Sequence, residues 1–199
     1  MRTHSSTQLA QALALGLCLL GCSKQGAAPE TRPPAPPVTN PAPPQRPTVP
    51  AELAVPDDHK LVLAVSARGS QIYECAPDAS GAPAWKLHAP SAELFDDAGA
   101  QIGVHYGGVD KNLPPGPYWE ATKDGSRVHG GSPVSAPNQG SIPLLRLTAA
   151  DTSGNGIFSK VSYIHRLATT GGVAPTEACT AGKRIDVPYT AQYYFYAAP

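Results

Sequence analysis

Between Ala51 and Pro199, glycine or proline returns every few residues, and the segments left between them are short and rich in valine, isoleucine, tyrosine and phenylalanine. Proline fixes φ and lacks an N–H, and glycine weakens helix interiors, so this punctuation leaves little room for helix. Runs such as "KLVLAV", "SQIYECA", "QIGVHY", "YWEAT", "PLLRLTA" and "AQYYFYA" instead carry the composition of antiparallel strands joined by turns. The expected fold is one all-β domain over residues 51–199, an antiparallel sandwich or barrel. One run, "IFSKVSYIHRLATT", also fits helical spacing through Phe158, Val161, Ile164 and Ala168; the Asn155-Gly156 hairpin signal before it favours strand.

The chain ahead of this domain has a different character. Arg2 and His4 precede an apolar stretch, Leu9 to Cys22, too short to cross a hydrocarbon core of about 30 Å as a helix. Residues 1–21 read as a signal peptide, and "LLGC" at its end resembles the bacterial lipoprotein cleavage box, which makes Cys22 the expected site of lipid attachment. Ser23 after it implies the outer membrane if the host has two membranes. Residues 22–50 form the expected lipidated tether: Ser23 to Pro50 hold ten prolines in 28 residues, a solvated polyproline-II-like spacer reaching up to roughly 85 Å. The expected location is therefore the cell envelope, with the membrane as partner through the lipid.

Cysteine usage follows from that location. Cys18 leaves with the signal peptide and Cys22 is acylated, so Cys75 and Cys179 remain in an oxidising compartment and are expected to pair. Fifteen basic and fifteen acidic residues give no net charge, so no long-range field marks the chain for nucleic acid.

Asp124-Gly125 is the strongest two-residue hairpin signal in the chain. A two-residue turn would pair Ala121 with Val128 and Glu120 with His129. Alternation then puts Trp119, Ala121 and Val128 on one face, and Glu120, Thr122, Arg127 and His129 on the other. By the same rule Ile102, Val104 and Tyr106 share an apolar face and leave His105 on the polar side.

The runs "IYEC", "HAPSAELFDDAGAQIGVHYGG", "YWEATKDGSRVHG", "SIPLLRLTAADTSGNGIFSKVSYIHRLATTGGVAPTEAC" and "VPYTAQYYFY", in that order, resemble the secreted bacterial and fungal family catalogued as domain-of-unknown-function family 3455. The resemblance covers nearly all of residues 55–196. It implies a compact secreted β domain with the same cysteine pair, and no established activity. Two departures stand out. Members of the family run from the His-Tyr motif straight into the tryptophan, whereas "VDKNLPPGP" intervenes here, and His165 stands where glutamine is commoner. A ligand pocket bordered by the inserted loop would be particular to this chain.

Chemistry-bearing patterns are sparse. His88, His105 and His129 are expected on polar strand faces and His165 on an apolar one, with no close ligand spacing, so neither a metal nor a cofactor is expected. "DTSGNG" imitates the start of a calcium loop but lacks the twelfth-position glutamate, and reads as a hairpin turn. "GNGIFS" lacks the third glycine and the βαβ setting of a dinucleotide site. The carboxylate pairs Asp57-Asp58 and Asp96-Asp97 sit at turns, where neighbouring side chains diverge, and no Gly-x-Ser-x-Gly elbow occurs. What remains is binding. Tyr194 and Tyr196, with Gln192, are candidates for an aromatic platform; His105, Tyr106, Glu120 and His129 complete the candidate set. The expected role is a binding or interaction module for a small molecule, a glycan or an envelope protein. The alternative is a metal-dependent or hydrolytic secreted enzyme using His105 and its neighbours.

Overall fold

The computed structural model describes residues 44–199. The segment expected to be a signal peptide, Cys22 and most of the proline-rich stretch expected to be a tether lie outside the described residues.

Eight strands, β1 (Lys60–Pro77), β2 (Pro83–Phe95), β3 (Gln101–Gly107), β4 (Pro117–Ala121), β5 (Arg127–Ala136), β6 (Leu144–Ser153), β7 (Val161–Gly171) and β8 (Arg184–Ala197), follow one another around a closed antiparallel barrel. Each pairs with the next, and β8 returns to β1 over a long register from Lys60↔Ala197 to Glu74↔Arg184. Closure leaves no unpaired edge. Of the two architectures the sequence allows, the chain adopts the barrel, with the expected disulfide: Cys75 at the end of β1 is bonded to Cys179 ahead of β8. Where β1 crosses β2, a Cβ on Gly69 would overlap the Ser91 carbonyl, so only glycine permits this approach.

Alternation fills the interior. Val65 and Ala67 of β1, Leu94 of β2, Trp119 and Ala121 of β4, Val128 of β5, Leu147 of β6, Ile164 of β7, and Tyr189, Ala191, Tyr193 and Phe195 of β8 belong to one buried cluster. The β6–β7 connection contributes Phe158, whose ring meets Phe195 with centroids 4.9 Å apart. Trp119 stands edge-on to Tyr193 at 5.3 Å. Such aromatic pairs add about 0.5–1.5 kcal/mol each beyond the area they bury.

A second, smaller cluster lies on the outer surface. Leu53, in a short 3₁₀ turn (Ala51–Leu53), is buried with Ala136 and Leu167, and Val49, Val134, Leu144 and Tyr194 pack around them. The strap that carries Leu53 is tied down by charged donors. The Arg46 guanidinium donates to the carbonyls of Val55 (2.6 Å), His59 (3.1 Å) and Pro56 (3.3 Å), and Arg146 donates to Ala54 O at 2.6 Å.

Two local expectations are corrected. The Asp124-Gly125 hairpin pairs Trp119 with Val128 and Tyr118 with His129, a shift of two residues from a two-residue turn. The cause is a longer loop. Ser126 O accepts from Ala121 N and Gly125 has φ +68°, while the Asp124 carboxylate accepts from Ser126 N at 2.8 Å and Ile157 N at 3.1 Å. A shift of two preserves the faces, so Trp119 is core as expected. Strand β3 is inverted relative to expectation: Gly103 and His105 pair with Ala121 and Trp119 and face the lumen, and Tyr106 pairs with Tyr118 outside it.

Candidate functional site

The lumen is packed along part of its length and open at one mouth. There a cavity of about 520 Å³ is bounded by Leu87, Ala89 and Pro90 of β2, by Leu145 and Leu147 of β6, and by Val109, Pro115 and Pro117 at the β3–β4 connection. Glycines complete the wall at positions 107, 108, 116 and 130. Position 130 has no room for a side chain, since a Cβ there would press on the Trp119 ring and the Leu147 methyl. The wall is mostly apolar, its polar side chains being Gln71, His88 and Arg166. Two of the cavity's exposed side chains, Leu87 (55%) and Val109 (52%), are large aliphatics held in water at its rim.

Polar groups enter the cavity at few points. Gln71 of β1 is 1% exposed, and its amide nitrogen has no hydrogen-bond partner. Arg166 of β7 also lines the space; its guanidinium donates to Pro143 O at 2.9 and 3.3 Å. Among the described residues Arg166 forms no ion pair with a carboxylate. Burial raises the phenols of Tyr73, Tyr189 and Tyr193; the Arg166 charge works against that rise at all three, and at Tyr193 a side-chain hydrogen bond with Arg166 does so as well. The carboxylates near the rim are already engaged. Glu74 receives Arg184 at 2.8 Å and lies 3.5 Å from His88 Nδ1, and Asp110 meets His88 Nε2 at 2.8 Å.

The residues singled out from the sequence are divided by the sheet. His105 is 2% exposed inside the barrel, stacked on Trp119 with centroids 4.4 Å apart, and its Nδ1–H donates to Tyr118 O at 2.8 Å. Burial pushes its pKa down to about 3, so it is a neutral packing residue and not the solvated side chain its strand pattern suggested. Tyr106, Glu120 and His129 do come together, on the outside. The Tyr106 hydroxyl donates to the Glu120 carboxylate; burial and that carboxylate push the phenol up to about 12. Tyr118 stacks between Tyr106 (5.7 Å) and His129 (4.3 Å). His129 Nε2–H donates to Pro115 O and the Tyr118 hydroxyl to Pro114 O, both at 3.2 Å. This stack therefore braces the loop between β3 and β4, and that loop forms one side of the cavity mouth.

Tyr196 is not part of an exposed platform, because the strap covers it. It is 1% exposed, Arg46 lies over its ring at 5.3 Å, and its hydroxyl donates to His165 Nδ1 at 3.0 Å. Tyr194 is half-buried in the outer cluster. His165 Nε2–H donates to Leu53 O at 2.7 Å, which makes it a satisfied histidine of the second core. Among the described residues no three histidine, cysteine, aspartate or glutamate side chains are grouped to hold a metal. Sequence reasoning missed Gln71, Arg166 and the cavity itself, whose wall is drawn from many strands and carries no local motif.

Fold and cavity define a closed antiparallel β-barrel with one apolar, open mouth. The chain belongs to the family described as Protein of unknown function (DUF3455), which matches residues 56–197. No curated protein and no solved structure matches it.

Proposed function

We propose that this is a lipid-anchored protein of the cell envelope whose barrel binds one small, largely apolar molecule at its open mouth. The observation that carries the reading is the cavity. An eight-stranded barrel has an interior just wide enough either to be filled by side chains or to hold one small ligand. Here the end around Phe158 and Phe195 is filled, and the mouth keeps about 520 Å³, within the range of roughly 300–1,000 Å³ usual for small-molecule pockets. Leu87 and Val109 are exposed at the rim, so their apolar surface leaves water when a guest binds.

The envelope part of the proposal rests on the signal-like segment, Cys22 and the proline-rich spacer. The disulfide suits an oxidising compartment. A tether of this length lets the barrel sample molecules near the membrane surface.

The test is titration of the purified protein with N-phenyl-1-naphthylamine, an uncharged apolar fluorophore. Saturable enhancement with one site per chain is expected, weakened at least about tenfold by Val109→Asp, which places a charge on an exposed rim position. No saturable enhancement, or enhancement indifferent to Val109→Asp, would remove the proposal.

A further inference from the structure

Resting on the binding reading above, we infer that the natural guest is an organic acid: an apolar body that fills the mouth cavity and one carboxylate held by Arg166 and Gln71. Arg166 is half-buried at the mouth, and a guanidinium beside an apolar wall forms a charge-assisted pair with a carboxylate once a guest excludes water from it. Arg166 has no carboxylate partner among the described residues; its guanidinium donates to one carbonyl, Pro143 O, and has the Tyr193 hydroxyl as its other neighbouring polar partner.

Gln71 is the independent second observation. Its side chain lines the same cavity, is almost wholly buried, and carries an amide nitrogen with no acceptor in the protein. Buried donors are nearly always satisfied, so an unpartnered one beside a cavity marks where a ligand acceptor belongs. Arg166 and Gln71 both supply N–H donors. A carboxylate accepts at both oxygens and can take a planar guanidinium side-on while receiving a further N–H bond.

The surroundings select for that charge. Neither acidic side chain near the mouth lines the cavity: Glu74 is paired with Arg184, and Asp110 is hydrogen-bonded to His88 Nε2. The uncompensated charge facing the guest is therefore positive. A cationic guest would meet Arg166 without relief, and a neutral one would leave it unpaired. Apart from His88, the remaining wall is leucine, valine, alanine, proline and glycine, so the rest of the guest is largely hydrocarbon, aliphatic or aromatic.

Competition against bound N-phenyl-1-naphthylamine separates this inference from the reading it rests on. Two matched pairs are compared below their aggregation limits: decanoate with decan-1-ol, and 2-naphthoate with 2-naphthalenemethanol. At least about tenfold tighter displacement by either acid than by its alcohol is the expected result, with the preference lost in Arg166→Gln and largely kept in Arg166→Lys. The contrast in the unaltered protein decides the matter even if Arg166→Gln does not fold. Equal displacement by acid and alcohol in both pairs would overturn the carboxylate inference while leaving the apolar cavity in place. Failure of the fluorophore itself to bind would overturn the reading beneath it.

Discussion

His105 and Trp119 lie face to face inside the barrel, their rings 4.4 Å apart and within 14° of parallel, with Tyr193 closing over the imidazole at 5.2 Å. The stack makes a histidine part of the hydrophobic interior, and the Tyr118 carbonyl that receives its Nδ1–H fixes the neutral tautomer. This relationship has an acid-sensitive consequence.

The His105 pKa is pushed from 6.5 to about 3 by burial, and His165 is lowered for the same cause. With folded pKa values below the unfolded one, the unfolded chain binds more protons, so stability is complete above pH 6.5 and falls as pH drops toward 3. The full cost from His105 is on the order of 5 kcal/mol. Urea unfolding at pH 7 and pH 5.5, the lower value still more than a unit above the ordinary carboxylate range, should show a clear loss of stability. His105→Phe should remove a large part of that slope; an unchanged slope would contradict the burial described for His105.

Cys75 and Cys179 are 104 residues apart in sequence. Closing so long a loop in the unfolded chain stabilises the fold by about 4–5 kcal/mol in the chain-entropy picture. Reduction, or paired replacement by serine, should lower the denaturation midpoint by a corresponding amount. A midpoint unmoved by reductant would show that the link does not constrain the unfolded chain.

The strap depends on Leu53 and His165. Leu53→Ala should cost about 3 kcal/mol by emptying the outer cluster. His165→Ala should cost about 2 kcal/mol, since Leu53 O loses its donor and the Tyr196 hydroxyl its acceptor. His165→Gln should cost less than about 1 kcal/mol, because an amide can donate to one partner and accept from the other. Denaturation curves, with amide exchange of residues 51–59, measure all three. Equal losses for alanine and glutamine would mean that ring packing, not the two hydrogen bonds, anchors the strap.

The β content, the cysteine pair and the core position of Trp119 were legible in the sequence because each follows from local pattern or simple counting. The face of β3 was not. Ile102, Val104 and Tyr106 look like an inward stripe, but the large ring of Trp119 on the neighbouring strand and Tyr193 nearby fill the lumen. They leave room inward only for glycines and one imidazole. Tyr196 could not be placed because its cover, residues 46–59, has no periodicity that announces a packed segment. Gln71 and Arg166 are 95 positions apart and become neighbours of one cavity only when β1, β8 and β7 close the barrel. The inserted loop was the one visible hint, and Val109, Pro115 and Pro117 do line the mouth.

The central claim, that the open mouth is a binding site, is tested most directly by a nitrogen–proton correlation spectrum of the labelled protein during titration with N-phenyl-1-naphthylamine. Four cavity glycines, Gly107, Gly108, Gly116 and Gly130, report from a sparsely populated region of the spectrum. Gly81, Gly99 and Gly182, at turns where no side chain would touch a neighbour, serve as remote controls. The account predicts saturable shifts in the first set with the second unmoved. Shifts confined to the controls, or none at any ratio, would contradict it.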